Sequence, residues 1–358
     1  MLRQVTPPSR IAIICLRRIG DVLLTTVLAN SIRQRWPSVE IHWFVFDGTQ
    51  GPLDGNPVCD RVHTVPAGER LWGFLRRQGL GTLFSYDIAV AAQAGDRPAL
   101  MARWLGRRAY CLASDALGGT IRDWLMTSAV KADVTAHRVN QCLALCLPLA
   151  LKPVTQVIPP HADMGACATL PERYWVFHPG AAFVYKRWNR AGWRALHEYV
   201  IALGMSVLVT GGPGADEAGY LDNLFEGLAV VRLDGRLSWP ELAGVIKRAE
   251  HFVGVDTSVT HLAAALGVRC SPIFGPTNPD LWAPVGFEKI GSCVSLDPCA
   301  ERTPRRRELE TLPVVHHLSK KCWPCQLEGC DRHVNSHSAC LDELSFESVR
   351  HQIEKSVT

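Results

Sequence analysis

The chain has 358 residues and a formal net charge of +4, with 47% hydrophobic and 20% charged residues. Its length exceeds the usual size of one hydrophobic core, and its composition is typical of a globular protein and unlike a disordered or fibrous one. We find no nucleic-acid-binding motif and no apolar run near the roughly 20 residues that cross a bilayer. Residues 11–16 lack the features of a secretion signal, so we expect a cytoplasmic protein.

Apolar runs and helical spacing alternate along the first half of the chain. Residues 11–16 form a continuous apolar run typical of a buried parallel strand, and residues 22–36 follow with helical spacing. The other predicted elements of this half are strands at 41–46 and 86–92 and helices at 71–77 and 139–147. Such alternation predicts an α/β domain.

Residues 152–171 are rich in helix and strand breakers and predict an interdomain linker. A second alternating series follows, with strands predicted at 175–178, 206–210, 230–233, 252–255 and 270–274, and helices at 191–203, 215–225, 239–249 and 259–266. The sequence therefore predicts two Rossmann-like, doubly wound domains facing a central cleft, where open parallel sheets bind ligands. We place the domains at residues 1–160 and 161–345, followed by a C-terminal helix at 346–358.

Asp21 follows Arg17, Arg18, Ile19 and Gly20 in the loop between the first predicted strand and helix. This loop is expected to face the cleft, where Asp21 could contact a substrate. Aspartate is also a favoured helix N-cap, so the position alone leaves both interpretations open.

Two strand ends of the second domain carry groups suited to a diphosphate. His178, Gly180 and Ala181 end one strand and precede Lys186 and Arg187, whose charges could neutralise a leaving phosphate. An ordinary turn with surface cations is the alternative interpretation. At a second strand end, Gly254 begins a run that continues into a predicted helix and contains Asp256, Thr257, Ser258 and His261. Helix N-termini bind anions, and this set exceeds what capping requires.

A glycine turn at residues 211–214 follows another strand but matches neither the dinucleotide fingerprint nor the Walker pattern. We therefore disfavour NAD binding and ATP hydrolysis. Glu217, soon after the turn, is a candidate partner for a ribose hydroxyl.

Four of the 13 cysteines lie close together near the C-terminus, at Cys322, Cys325, Cys330 and Cys340. The initial Cys-x2-Cys spacing is consistent with a structural zinc or iron site. A set of reduced cysteines packed in a loop is the alternative, because the last two thiols lack that spacing.

Together these segments resemble the heptosyltransferases of glycosyltransferase family 9. The resemblance rests on R-R-I-G-D-V-L-L-T-T, on H-P-G-A followed by K-R-W, and on G-V-D-T-S-V-T-H-L-A-A-A-L-G. The segment F-G-P-T-N-P-D-L-W-A-P and the pair Asn56-Pro57 are most similar to the heptosyltransferase III subgroup. Relatives commonly have proline where this chain has Asn189, and we expect this difference to loosen the loop that carries Lys186.

The resemblance implies a GT-B fold and inverting transfer from ADP-heptose to the inner core of lipopolysaccharide, without a catalytic metal or other cofactor. It implies peripheral contact with the cytoplasmic face of the inner membrane. Asp21 would be the general base and Lys186 would stabilise the leaving diphosphate. The donor would be bound by Gly180, Ala181, Glu217, Asp256, Thr257, Ser258 and His261. Any metal at the cysteines would then be structural.

Two alternatives to this function remain open at the level of the sequence. Some relatives modify an autotransporter protein and carry a metal-bearing cysteine finger, so the acceptor could be a protein. A non-catalytic nucleotide-sugar-binding protein would retain Lys186 and Asp256 but would need no general base, and the presence of Asp21 counts against it.

Overall fold

A computed structural model of the chain describes residues 7–68, 71–113, 125–165, 169–285, 316 and 322–357. The chain divides into two compact units with a boundary between Pro160 and His161. Both are α/β units built on a parallel sheet. Within the described residues, no helix combines the length and the apolar character needed to cross a membrane.

The first unit contains a six-stranded parallel sheet in the order β3-β2-β1-β4-β5-β6. Its strands are β1 (Arg10–Cys15), β2 (Glu40–Phe46), β3 (Arg61–Val65), β4 (Tyr86–Ala94), β5 (Gly106–Ala113) and β6 (Ser128–Lys131). Ile11 of β1 pairs with Ile41 on one side and Ile88 on the other. Every residue from Ile11 to Cys15 is fully buried, as expected for a central strand covered on both faces.

The helices of the first unit are α1 (Ile19–Arg35), α2 (Leu71–Gln78), α3 (Asp96–Leu105) and α4 (Arg138–Leu143), and short 3-10 turns lie at Gly51–Leu53, Leu80–Thr82 and Ala144–Cys146. The sequence pattern did not predict β3, α3, β5 or β6. Helix α3 has Pro98 in its first turn, and β6 is a short strand that is not fully buried, so neither shows a clear apolar period.

Polar side chains buried along α1 hold the linker against the first unit. The Thr26 hydroxyl accepts a hydrogen bond from the Ile158 amide, and the Ser31 hydroxyl accepts one from the Val154 amide, both at 2.9 Å. Asn56 donates to the Ile158 carbonyl at 2.8 Å. The first part of the predicted linker, which has no regular secondary structure, is therefore fixed by side chains rather than by a helix or strand.

The second unit has a five-stranded parallel sheet in the order β11-β10-β7-β8-β9. Its strands are β7 (Tyr174–His178), β8 (Ser206–Val209), β9 (Val231–Arg232), β10 (His251–Val255) and β11 (Cys270–Ile273). Its helices are α5 (Arg190–Ala202), α6 (Ala215–Leu224), α7 (Trp239–Lys247), α8 (Ser258–Ala265), α9 (Pro279–Trp282), α10 (Ala339–Asp342) and α11 (Phe346–Val357), and a 3-10 turn lies at Val184–Lys186.

The C-terminal helix α11 belongs to the core of the second unit. Val349 and Ile353 are buried with Trp193, Leu196 and Val200 of α5. The described end of the chain is therefore packed against the unit that contains Lys186 and Asp256.

Candidate active site

Asp21 lies in the first turn of α1, where it is buried and paired with two arginines. Arg17 Nε and Arg138 Nε each lie 2.9 Å from Asp21 Oδ1. Arg138 is itself buried, and its Nη2 donates to the Ala92 carbonyl at 2.9 Å. Arg18, and not Asp21, occupies the N-cap position of α1, so Asp21 is not present to cap the helix.

Two thiols and a threonine surround this ion pair. Thr25 Oγ1 donates to the Asp21 carbonyl at 2.7 Å and lies 3.6 Å from the sulfurs of both Cys15 and Cys142. Burial raises the pKa of Cys15 to about 12, although the Arg138 charge opposes this shift. Burial alone would lower the pKa of Arg138, but Cys142, Asp21 and Cys15 together raise it above its ordinary value. Arg138 therefore remains a cation inside the first unit.

Lys186 and Asp256 form a largely buried ion pair in the second unit. Lys186 Nζ lies 2.5 Å from Asp256 Oδ2 and 3.4 Å from the Asp256 carbonyl oxygen. Lys186 ends a 3-10 turn after β7, and Asp256 directly follows β10. Because β7 and β10 are neighbouring parallel strands, their carboxyl ends bring these two segments together.

Several groups stabilise the charged form of Asp256. Burial alone would raise its pKa, but the Lys186 ammonium, which also donates a hydrogen bond, lowers it below its ordinary value. His261 and a hydrogen bond from the Thr277 side chain contribute in the same direction. Thr277 follows β11, the next strand in the sheet.

The N-terminus of α8 carries the polar residues predicted to bind a donor. Thr257 occupies the N-cap position but makes no side-chain capping bond, and its buried Oγ1 has no hydrogen-bond partner among the described residues. Ser258 is the first helical residue, and His261 is buried one turn later. A threonine hydroxyl left unused at a helix N-terminus, next to unpaired backbone amides, is an arrangement suited to an anionic ligand.

Gly180 and Glu217 are in direct contact. A Cβ atom added at Gly180 would overlap the Glu217 carboxylate, so this close approach requires glycine. Glu217 Oε1 also accepts the Gly212 amide hydrogen at 3.0 Å. The two glycine turns predicted from the sequence therefore meet at one carboxylate.

A cation and an aromatic ring lie beside these turns. Arg187 donates to the carbonyl of the buried Ala181, and its guanidinium lies 4.3 Å from the centroid of the Tyr220 ring. Burial raises the pKa of Tyr220 to about 12, and the buried Tyr220 hydroxyl has no hydrogen-bond partner among the described residues. Burial lowers the pKa of His178 to about 4, so His178 is neutral near pH 7 and accepts or donates a hydrogen bond with Thr210 Oγ1 at 3.0 Å.

Asn189 does not loosen the loop after Lys186, and the expectation from the sequence was wrong. Its Oδ1 accepts the Gly192 amide hydrogen at 2.7 Å and caps α5. Its Nδ2 lies within hydrogen-bond distance of the carbonyls of Leu341, Asp342 and Leu344, which share its two N–H donors. An asparagine side chain can both accept and donate, so this residue fixes the loop in a way that proline could not.

The four C-terminal cysteines are free thiols close enough to influence one another. Burial, together with electrostatic interaction with the other three cysteines, raises the pKa of Cys340 to about 11. By donor type the set suits zinc or iron. Within the described residues, however, no three histidine, cysteine or acidic side chains lie close enough together to hold a metal ion.

A sequence profile of glycosyltransferase family 9 (heptosyltransferase) matches residues 120–311, which is more than half of the chain. The chain belongs to glycosyltransferase family 9. It is therefore an enzyme that transfers a glycosyl group. The matched region contains the segments that carry Lys186, Glu217 and Asp256.

Known proteins similar to this family 9 enzyme include lipopolysaccharide heptosyltransferase 3 of Escherichia coli, which is 25% identical over 289 residues, or 74% of this chain and 83% of that protein. E. coli heptosyltransferase WaaC with ADP-2-deoxy-2-fluoro heptose has a TM-score of 0.61 at 23% identity, covering 75% of this chain and 90% of that one. The iron-containing dodecameric glycosyltransferase TibC of enterotoxigenic E. coli has a TM-score of 0.57 at 14% identity, covering 99% and 78%. These likenesses confirm the predicted GT-B fold.

The structure brings the predicted residues of the enzyme into two sets. Lys186, Asp256 and His261 form one set with the N-terminus of α8, and Gly180 forms the other with Glu217. Asp21 lies in the first unit with Arg138, a partner that sequence reasoning missed. Thr277 was also missed, although its position after a strand of the same parallel sheet was a usable signal.

Proposed function

We propose that this chain transfers heptose from ADP-heptose to the inner core of lipopolysaccharide, with inversion at the anomeric carbon and without a catalytic metal. The observation that carries the proposal is the Lys186–Asp256 ion pair beside the N-terminus of α8, in an enzyme of family 9. The solved structure of E. coli WaaC with ADP-2-deoxy-2-fluoro heptose supports ADP-heptose as the donor.

On the donor side, the diphosphate would bind at the N-terminus of α8, with the Thr257 and Ser258 hydroxyls and the backbone amides as hydrogen-bond donors. The bond between the anomeric carbon and the phosphate oxygen breaks, and its electron pair remains on ADP. Lys186 would stabilise that developing negative charge. Asp256 and His261 would keep the ammonium and the helix terminus in place.

On the acceptor side, Asp21 would act as general base. The acceptor hydroxyl attacks the anomeric carbon from the face opposite ADP, and its proton passes to Asp21. Both ion pairs of Asp21 are made by Oδ1, so Oδ2 is the oxygen that we assign as the proton acceptor. A single displacement of this kind produces inversion.

The remaining residues of the donor set would bind the nucleoside. Glu217 uses Oε1 for the Gly212 amide and could accept a ribose hydroxyl hydrogen with Oε2. The close contact of Gly180 and Glu217 would fix that carboxylate. Ala181, whose carbonyl is held by Arg187, would place the turn against the diphosphate.

The first unit would bind the acceptor and the second the nucleotide sugar. Since the inner core is attached to lipid, the enzyme would work at the cytoplasmic face of the inner membrane in peripheral contact with it. The named E. coli relative, a lipopolysaccharide heptosyltransferase, favours this acceptor over an autotransporter protein.

We further propose that Cys322, Cys325, Cys330 and Cys340 hold a structural zinc or iron ion. The proposal rests on the four thiol donors and on the Cys-x2-Cys spacing of Cys322 and Cys325. Within the described residues these side chains are not gathered as a metal site, so binding of the ion would draw them together. The ion would tie together the segment before α11 and would take no part in the transfer.

An acceptor panel tests the proposed function. The wild-type chain is incubated with ADP-heptose, ADP-glucose or UDP-glucose, each with heptose-deficient lipopolysaccharide or an unmodified autotransporter passenger, and acceptor mass is measured. We expect one heptose to be added to the lipopolysaccharide from ADP-heptose. Mass gain on the passenger alone would replace the lipid acceptor with a protein, and gain from UDP-glucose alone would overturn the donor.

A further inference from the structure

Asn189 connects the loop after Lys186 with the segment before α11. Its Nδ2 lies 3.0 Å from the Leu341 carbonyl, 3.1 Å from that of Asp342 and 3.0 Å from that of Leu344. Its Oδ1 is used separately to cap α5. One side chain therefore fixes both the start of a helix and a distant stretch of backbone.

Residues on both sides of Lys186 are fastened to the same segment. Before Lys186, the Tyr185 carbonyl accepts a hydrogen bond from Ser338 Oγ at 2.7 Å, in buried surroundings. After it, the buried Trp188 donates from Nε1 to the Leu344 carbonyl at 2.8 Å. The loop itself contains one short 3-10 turn, so these outside contacts restrain the backbone that carries Lys186.

The C-terminal segment also contacts the loop that supports Asp256. Trp323 Nε1 donates to the Gly275 carbonyl at 2.8 Å, and the Gln326 amide donates to the Pro276 carbonyl at the same distance. Leu341 packs so closely on Gly275 that a side chain there would overlap it. Thr277, two residues after Gly275, donates the side-chain hydrogen bond to Asp256.

We propose that Asn189 is a positioning residue for Lys186, and that residues 322–345, the C-terminal segment, stabilise the loops of the donor site. Asn189 holds the C-terminal segment against the loop that carries Lys186. That loop in turn orients the Lys186 ammonium toward Asp256 and the leaving diphosphate. This inference rests on the proposed function of Lys186. Lys186 acts most strongly when negative charge develops on the leaving diphosphate. Loss of Asn189, which positions Lys186, therefore lowers turnover more than it weakens donor binding.

The test compares Asn189→Ser with Ser238→Ala. Serine at 189 can still cap α5 but cannot reach the three carbonyls. Ser238→Ala is the control, because it removes the capping box that Ser238 forms with Glu241 at the start of another helix, α7. Lys186 is acetylated with limiting acetic anhydride and quantified by mass spectrometry against the exposed Lys152, which lies outside both helices whose caps are changed. The kcat and KM for ADP-heptose are measured on the same preparations.

We expect Asn189→Ser to raise the acetylation of Lys186 about fivefold relative to Lys152 and to lower kcat about tenfold, with KM changed less than about twofold. Ser238→Ala should change neither quantity. Wild-type values for Asn189→Ser, or an equal rise in acetylation for Ser238→Ala, overturn the proposal. If Asn189→Ser does not fold, Ser338→Ala, which removes the hydrogen bond to Tyr185, takes its place with the same expected direction.

The acetylation measurement separates this proposal from the proposed function. If the wild type transfers no heptose while Lys186 is still protected in an Asn189-dependent way, the proposed reaction fails but the positioning of Lys186 stands. If transfer occurs and Lys186 is equally reactive in the wild type and in Asn189→Ser, the positioning role fails and the proposed reaction stands.

Discussion

Asp21 and Arg138 are 117 residues apart in the sequence, yet Arg138 Nε lies 2.9 Å from Asp21 Oδ1 inside the first unit. Both side chains are buried, so neither can replace its partner with water. The pair joins the first turn of α1 to the start of α4 and fixes the orientation of the carboxylate that we assign as the base.

Removing Arg138 should therefore destabilise the first unit. Arg138→Met leaves the Asp21 charge buried, and we expect a loss of about 3 kcal/mol in the free energy of unfolding. Hydrogen exchange of peptides from α1 at increasing urea concentration reports this unit separately from the second. Arg17→Met is the matched control, because Arg17 is half exposed and should cost less than about 1 kcal/mol. Equal effects of the two substitutions would contradict a special role for the buried pair.

The contact between Gly180 and Glu217 predicts coupled effects on nucleotide binding. Gly180→Ala should push the flexible Glu217 side chain aside, at small cost to stability, and weaken ADP binding about tenfold. Calorimetric titration of ADP into Gly180→Ala, Glu217→Ala and the double variant measures the coupling. We expect Gly180→Ala to have no further effect once Glu217 is removed. Independent, additive losses would show that Gly180 does not act through Glu217.

Buried neutral histidines make the second unit sensitive to acid. Burial lowers the pKa of His251 to about 3, whereas the unfolded chain has a value near 6.5. The unfolded state therefore binds the proton first, and the stability of the fold decreases as pH falls below about 6.5, until the folded-state pKa is reached. From pH 7.5 to pH 5, this one group should remove about 2 kcal/mol.

Substitution of His251 by glutamine should reduce that pH dependence. His251 stacks on Trp175 and pairs with Ser271 Oγ at 2.7 Å, so the variant is expected to be less stable at pH 7.5. Between pH 7.5 and 5, however, its stability should fall by about 2 kcal/mol less than that of the wild type. Urea-dependent hydrogen exchange in β7 and β10 measures both values. An unchanged pH dependence would show that His251 is not neutral in the folded unit.

The proposed metal site at the four C-terminal cysteines predicts a stoichiometric metal. Plasma mass spectrometry of the purified chain should find about one zinc or iron ion per molecule, and Cys325→Ser should lose it. Cys59→Ser serves as the control, because Cys59 lies in the first unit, far along the sequence from the cluster. A chain without stoichiometric metal, or one that keeps it in Cys325→Ser, would leave the four residues as packed thiols.

Parts of the fold and site that depend on local pattern could be predicted from the sequence. Lys186 and Asp256 follow neighbouring strands of one parallel sheet, and a strand end next to a glycine turn or helix start is visible in the sequence. The start of α1 was predicted three residues late, because Ile19 and Gly20 do not stand out in the apolar period. Asp21 was therefore considered as a possible N-cap of α1, a position that Arg18 occupies in the structure.

Residues whose roles depend on distant backbone could not be predicted. Asn189 looked like a weaker substitute for proline, since its three carbonyl partners lie more than 150 residues further along the chain. The residues next to Arg138 in the sequence do not indicate that it pairs with Asp21. Its role follows from the packing of α4 beside α1, which sequence periodicity does not specify.

Heptose transfer by the wild type and by Asp21→Asn is the measurement that most directly tests the proposed reaction. Asparagine keeps the size of the side chain and can accept the Arg138 hydrogen bond, but it cannot take a proton from the acceptor. With ADP-heptose and heptose-deficient lipopolysaccharide, the wild type should add one heptose, while the variant binds ADP normally and turns over at least about a hundredfold more slowly. Transfer by Asp21→Asn at the wild-type rate would contradict the account.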